Sequence, residues 1–243
     1  MHFGLYNGSQ RICKYIRIKS VLQTTMDVRL KSPFSMSICA SRESGKTHFT
    51  KNLLVKQKQL IDPPFKKIIW CSKFYQKEIF DELANGLAGD NVELDFITNE
   101  IPDFERMGLQ QQPTLVVIDD FMSEGSSNDS VHGLFTRGRH LNLSVCFLSQ
   151  NIYHQGKHSR TISINSDYLC IFSNCRDKQQ IVFLSRQLYP NNKNFLLWAY
   201  EDATSAPYGH LFLDFKTKNR EELRVRAQIT SDFPIVYQPL FTF

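Results

Sequence analysis

No two of the six cysteines, at positions 13, 39, 71, 146, 170 and 175, stand at C-x-x-C spacing. The paired-thiol signature of a zinc or redox motif is therefore missing. Cys39, Cys71, Cys146 and Cys170 lie within or beside strand-like apolar runs, which is the placement of reduced, buried thiols and points to a reducing compartment. No apolar run is long enough to cross a bilayer. The N-terminal stretch intersperses Arg11, Lys14, Arg17 and Lys19 with polar residues and lacks the apolar core of a signal peptide. The expectation is a soluble protein that is not secreted. There is no internal repeat, and no strong charge of one sign: 29 Lys and Arg oppose 24 Asp and Glu, for a net charge of +5 and a pI near 8.8. That excess suits contact with a polyanion without identifying one.

What is present suffices for one α/β domain with a full core: 243 residues, 42% of them hydrophobic. The first 25 residues show no clear hydrophobic period and read as an N-terminal extension (1–25) to a domain spanning 26–243. The most informative stretch is Ala40-Ser41-Arg42-Glu43-Ser44-Gly45-Lys46-Thr47. It has the Gly-Lys-Thr end of a phosphate-binding loop, with alanine in place of the first glycine. In such a loop consecutive N–H groups at a helix N-terminus surround a phosphate, the lysine reaches the β and γ phosphates, and the threonine hydroxyl ligates Mg²⁺. Context agrees: Phe34 to Cys39 reads as a buried strand, and Phe49, Leu53 and Leu60 follow at helical spacing. On its own the octapeptide also fits an ordinary strand-to-helix turn.

Further strands are expected at Lys66–Cys71, Val92–Ile97, Thr114–Asp120, Leu143–Leu148 and Asp167–Phe172. Between them come a helical face at Phe74, Ile79, Phe80, Leu83 and Leu87, ended by Gly86 and Gly89, and a short helix through Val131, Leu134 and Phe135 that follows a Ser-, Gly- and Asn-rich loop at 122–130. A short helix at Phe195–Tyr200 then precedes Leu211–Phe215 and Leu223–Arg226, which look like an antiparallel hairpin. Alternating strands and helices predict a P-loop α/β fold, a mainly parallel sheet with helices on both faces and a C-terminal antiparallel hairpin.

The strand Leu115–Ile118 ends in the paired carboxylates Asp119 and Asp120, the pattern of a Walker B motif. Asp119 is the metal-side candidate and Asp120 the candidate base for the attacking water. Its position about seventy residues after Gly-Lys-Thr, with a strand and a helix between, favours nucleotide chemistry over two chance turns. The next strand ends in Ser149-Gln150-Asn151. Ligands bind at the carboxyl ends of strands in such sheets, so Gln150 is placed to face the γ phosphate and sense its loss.

These motifs, together with Leu134-Phe135-Thr136-Arg137-Gly138-Arg139-His140-Leu141-Asn142-Leu143-Ser144-Val145, Arg160 to Asn165, Arg176 to Ile181, Arg186 to Pro190 and Ala206 to Leu211, resemble the FtsK/HerA superfamily. The closest resemblance is to the poxvirus A32-like genome-packaging ATPases, in particular those of Polinton (Maverick) elements, and it spans about residues 26–237. The departures are Ala40, and Arg139-His140-Leu141 where the Polinton pattern has a small residue and paired histidines. The resemblance implies ATP and Mg²⁺ as cofactors and a homo-oligomeric ring that translocates double-stranded DNA into a capsid. It also implies a capsid or portal-vertex partner, and a place in the host nucleus, the cytoplasm or the virion. By the same resemblance Arg137 and Arg139 fall where ring translocases carry basic residues facing the next protomer, with a DNA contact or a solvated turn as the other reading; Arg160 and Arg176 are further candidates. His140, His154 and His158 lack the cysteine or acid that would complete a metal site and read as solvent or DNA contacts. Trp70 and Trp198 read as core or nucleotide-pocket packing. Two rivals stay open: another P-loop DNA ATPase such as a helicase or loader, which the absence of further helicase motifs opposes, and a catalytically degenerate DNA- or capsid-binding relative in which Ala40 marks lost turnover.

Overall fold

The computed structural model describes residues 2–5, 13–17, 27–104, 106–121, 127–153, 157–216 and 221–239. His154 and residues 122–126 of the Ser-, Gly- and Asn-rich loop lie outside them. The strands in chain order are β1 (His2–Leu5), β2 (Cys13–Arg17), β3 (Leu30–Lys31), β4 (Ser35–Cys39), β5 (Ile61–Asp62), β6 (Lys67–Ser72), β7 (Glu93–Thr98), β8 (Thr114–Asp119), β9 (Leu143–Ser149), β10 (Tyr168–Phe172), β11 (His210–Asp214), β12 (Val225–Ala227) and β13 (Ile235–Pro239). The chain divides into two units: Arg29–Leu169, and Met1–Val28 together with Cys170–Phe243.

In the 29–169 unit the strands lie in the order β4-β9-β8-β6-β7, all parallel. Every residue of β4, β8 and β9 is buried, so neither face of the central sheet meets water and both must be covered. The composition produces this directly. Thr114-Leu-Val-Val-Ile is a run of β-branched and aliphatic residues with no polar face to expose. On one face Ile69, Cys71, Val116, Ile118, Val145 and Phe147 cluster with Val131, Leu134 and Phe135 of the helix α4 (Asp129–Arg137) and with Ile162 of α5 (Ser159–Ile164). Trp70 turns to the other face and meets Phe80 of α3 (Lys77–Gly86) edge-on, with centroids 5.9 Å apart. Two more helices, α1 (Lys46–Val55) and α2 (Gln57–Leu60), follow β4. The helix α4 starts where its sequence supplies a cap: the Asn128 side chain accepts from the N–H groups of Ser130 (2.8 Å) and Val131 (3.1 Å).

The second unit has antiparallel strands in the order β11-β12-β13-β2-β1 and the helices α6 (Gln179–Leu188) and α7 (Phe195–Ala203). The expected hairpin is present as β11 and β12 and is extended by three more strands. Two of these, β1 and β2, lie in the segment where the sequence shows no period. Phe74 also departs from expectation: it precedes α3 and is 69% exposed.

The polar centre of this unit is an ion pair. Arg226 donates to Asp214 at 2.5 Å and to the Val28 carbonyl at 2.6 Å, and its guanidinium lies 5.0 Å from the Phe212 ring centroid. Both charged side chains are about as buried as the aliphatic core. Removing one partner strands the other charge out of water, whereas replacing both with apolar groups of similar volume does not. Arg226→Ala is expected to cost about 3–5 kcal/mol in urea unfolding, and an Arg226→Met, Asp214→Leu pair far less. Equal losses in the two would show that the pair itself, rather than an orphaned carboxylate, sets the stability.

Candidate nucleotide-phosphate site

The loop between β4 and α1 follows directly from the sheet. Ala40 continues the β4–β9 ladder, its N–H donating to the Ser149 carbonyl at 3.1 Å. Within the octapeptide the left-handed φ values belong to Glu43 (60°) and Gly45 (90°). Ala40 is not among them, so its Cβ meets no conformational barrier. Gly45 is different: it is the residue before α1 and needs the backbone freedom that only glycine has without strain. The loop is braced internally by the Ser41 and Ser44 hydroxyls, 2.5 Å apart. The first N–H groups of α1 have no partners within the helix and are available to an anion.

The acids reach this loop from the end of β8, which lies one strand beyond β9. Thr47 Oγ1 donates to Asp119 Oδ2 at 3.2 Å, and Lys46 Nζ lies 3.6 Å from Asp120 Oδ1. Asp119 is fully buried, and its second oxygen, Oδ1, has no hydrogen-bond partner. Burial first, and the Asp120 charge second, push its carboxyl up to about 6, against the pull of Lys46 and Thr47. Asp120 is half-exposed and holds a left-handed φ of 62°, the kind of sparsely populated conformation that surrounding structure must impose. Gln150 follows Ser149, whose register partner is Cys39, so it stands beside Ala40 and is half-buried. Beneath it Ser149 Oγ donates to the Asn151 carbonyl at 2.9 Å, and Cys39 Sγ lies 3.3 Å from Ser149 Oγ. Burial pushes the Cys39 thiol up to about 12, which keeps it un-ionised and unreactive at neutral pH.

The structure thus brings Ala40 to Thr47, Asp119, Asp120 and Gln150 to one edge of the sheet. Arg137 and Arg139 are elsewhere. Arg139 bonds Asp167, which also accepts from the Ser35 N–H at 2.9 Å; this is the amino end of β4, roughly 16 Å from the phosphate loop at about 3.3 Å per residue. Arg137 ends α4 on the same side and is exposed. Arg160 lies in the first turn of α5, just after His158 and Lys157 bond Asp129 at 2.7 and 3.1 Å. Asp129 opens the helix that leaves the carboxyl end of β8, so Arg160 is on the phosphate-loop side. Arg176 is exposed in the other unit. His140 is exposed at the amino edge, away from His158, whose ring stacks on His132 with centroids 4.2 Å apart. One neighbour of the site carried no motif in the sequence: Ser72, the register partner of Asp119, which only strand pairing reveals.

Comparison with known proteins now decides the family. A family model described as Poxvirus A32 protein matches residues 22–199. The chain belongs to the poxvirus A32 protein family. No curated protein matches it. Among solved structures it is similar to the genome packaging NTPase B204 of Sulfolobus turreted icosahedral virus 2 in complex with AMP (TM-score 0.52, 12% identity, covering 86% of this chain and 98% of that one). The AMPPCP complex of B204 gives 0.51, 13%, 86% and 98%. At such identity the likeness shows the fold alone, and that fold is the P-loop NTPase arrangement, a mainly parallel sheet flanked by helices with antiparallel C-terminal strands. The A32 family match extends over the whole 29–169 unit and into α7. Among the described residues no helix is long and apolar enough to cross a membrane.

The donor set fits a divalent cation. A buried carboxylate with one unsatisfied oxygen, beside a threonine hydroxyl and a lysine, matches the one or two protein oxygens that Mg²⁺ takes when phosphates and water supply the rest. Two outcomes follow from this geometry. Ala40→Gly should shift nucleotide affinity by less than about tenfold in a titration, because Ala40 already holds an unstrained φ; a larger gain would mean that its Cβ obstructs the ligand. The second concerns pH. A carboxyl whose pKa rises on folding favours the folded state fully below its unfolded value, 3.8, and loses that contribution as pH climbs through about 6. In the absence of metal, Asp119→Asn should therefore gain on the order of 3 kcal/mol over the wild type between pH 3.5 and pH 7 in urea unfolding. A difference independent of pH would show that Asp119 is not desolvated.

Proposed function

We propose that this protein is an ATPase that moves double-stranded DNA and packages a viral or Polinton-like genome into a capsid, acting as a homo-oligomeric ring of the FtsK/HerA type. The observation that carries this reading is the convergence of Lys46 and Thr47 on Asp120 and Asp119. Membership of the A32 family, and the likeness to a fold whose B204 representative is a genome packaging NTPase crystallised with AMP and AMPPCP, support the substrate and the task. The loop N–H groups and Lys46 hold the triphosphate. Thr47 and Asp119 would hold Mg²⁺, which would supply neutralisation of the phosphate charge. Once phosphate oxygens engage Lys46, Asp120 loses its partner and is left to accept a proton from water. The water oxygen bonds to the γ phosphorus as the bond to the bridging oxygen breaks, giving ADP and phosphate. Gln150 orients that water and registers the departure of phosphate.

Charge on the transferring phosphoryl group calls for a guanidinium. Arg137 and Arg139 both lie about a strand length from their own phosphate loop and are offered to the next protomer, Arg139 by leaving Asp167. The ring holds duplex phosphates without reading bases, and a capsid or portal-vertex protein anchors it in the host nucleus, the cytoplasm or the virion.

Lys46→Ala is expected to lose ATP binding, and Asp120→Asn to bind ATP without turnover. The Arg137→Ala, Arg139→Ala pair should also be inactive, yet mixing it with Asp120→Asn should restore hydrolysis, since some interfaces then pair an intact site with an intact arginine. Persistent hydrolysis by Asp120→Asn would move the base elsewhere; absence of rescue in rings verified by sedimentation would transfer the trans role to Arg160 or Arg176.

A further inference from the structure

Three exposed aromatic side chains occur among the described residues of the 29–169 unit: Phe74 (69%), Tyr75 (57%) and Tyr153 (42%). All three stand on segments that leave the carboxyl ends of strands, the edge that holds the phosphate loop. Phe74 and Tyr75 are adjacent and are flanked by Lys73 and Lys77 in the sequence Lys-Phe-Tyr-Gln-Lys. Their segment is held in place. Ser72 Oγ donates to the Phe74 carbonyl at 2.8 Å, the Asn99 N–H donates to the Ser72 carbonyl at 2.9 Å, and the Tyr75 ring packs at 5.0 Å on Phe80. It begins beside the metal-side acid, because Ser72 pairs with Asp119 across parallel strands about 4.8 Å apart.

Two large apolar rings presented to water on a fixed loop, with an ammonium group on either side, match the way sequence-tolerant single-stranded DNA binders work: bases stack on the rings and cations meet the flanking phosphates. We propose that the Lys73–Lys77 segment binds unpaired DNA bases, at a duplex end or in a single-stranded stretch. The inference rests on the reading of DNA as the transported substrate. Bases inside a duplex are stacked on one another and offer no open face, so the segment acts where a strand end is exposed. With two rings and two lysines, stacking carries most of the affinity, and its salt dependence is shallower than that of duplex binding through many phosphates. Its place next to Asp119 couples the grip to the nucleotide site.

The test uses the full chain and fluorescence anisotropy with labelled dT20, a blunt 20-base-pair duplex, and the same duplex with a dT10 tail. The Phe74→Ala, Tyr75→Ala pair should weaken dT20 and the tailed duplex by about tenfold or more while leaving blunt-duplex affinity and basal ATP hydrolysis within about twofold; Phe74→Tyr, Tyr75→Phe should restore tight binding. Unchanged dT20 affinity in the alanine pair overturns the inference. So does a wild type that binds the blunt duplex but not dT20, which leaves the translocase reading intact. A wild type that binds no DNA at all overturns both. Loss of sedimenting oligomer in the alanine pair, with DNA affinity lost in step, would assign the rings to a subunit contact instead and likewise overturn it.

Discussion

A carboxylate out of water, with one oxygen unpartnered, is the constraint around which the phosphate site is arranged. Ionising Asp119 at that depth is unfavourable without a cation, and the nearest cation, Lys46, already faces Asp120. The site is therefore electrostatically incomplete by construction. Its two acids repel, its lysine is shared, and its threonine donates to one Asp119 oxygen while the other has no partner. A magnesium–nucleotide complex would relieve these frustrations together, and its binding free energy would be coupled to how well the strands hold the acids in place. That hold is strong: β8 is flanked by β6 and β9, and every residue of it is buried.

The two edges of the 29–169 sheet do different work. The carboxyl edge gathers left-handed backbone, at Glu43, Gly45 and Asp120, and the groups proposed to meet phosphate. The amino edge is occupied by structural bonds: Asp167 binds Ser35 and Arg139, Ser144 Oγ accepts from the Phe34 N–H at 3.0 Å, and the Tyr168 hydroxyl accepts from the Lys31 N–H at 2.9 Å. Arginine is useful at both edges for different reasons. At the amino edge its planar fork satisfies a buried acid.

Much of this was legible in the sequence because the signals were local. The strands at 35–39, 67–72, 93–98, 114–119, 143–149 and 168–172 follow from short aliphatic runs bounded by turn residues, and the Gly-Lys-Thr and Asp-Asp motifs fix which strand ends converge. That Ala40 avoids the left-handed region was not legible, because no residue type dictates that φ angle. Nor was the Arg139–Asp167 bond: it joins residues far apart in sequence, and Arg139 reads the same whether it faces a carboxylate, a phosphate or a neighbour. The N-terminal strands escaped for a related reason. β2 pairs with the distant β13 and β1 pairs with β2, and a strand recruited by a distant edge needs little periodicity of its own.

That recruitment sets an order of events as the chain is made. The unit 29–169 is one uninterrupted stretch, and the pairs β4–β9, β9–β8, β8–β6 and β6–β7 all lie within it. β2 has only β1 until β13 arrives roughly two hundred residues later, since Arg17 pairs with Ile235 and Cys13 with Pro239. Closing so long a loop is slow, and the emerging β2 carries an unpaired edge in the meantime. The 29–169 unit is thus ready to fold from the ribosome while the antiparallel unit waits for β13.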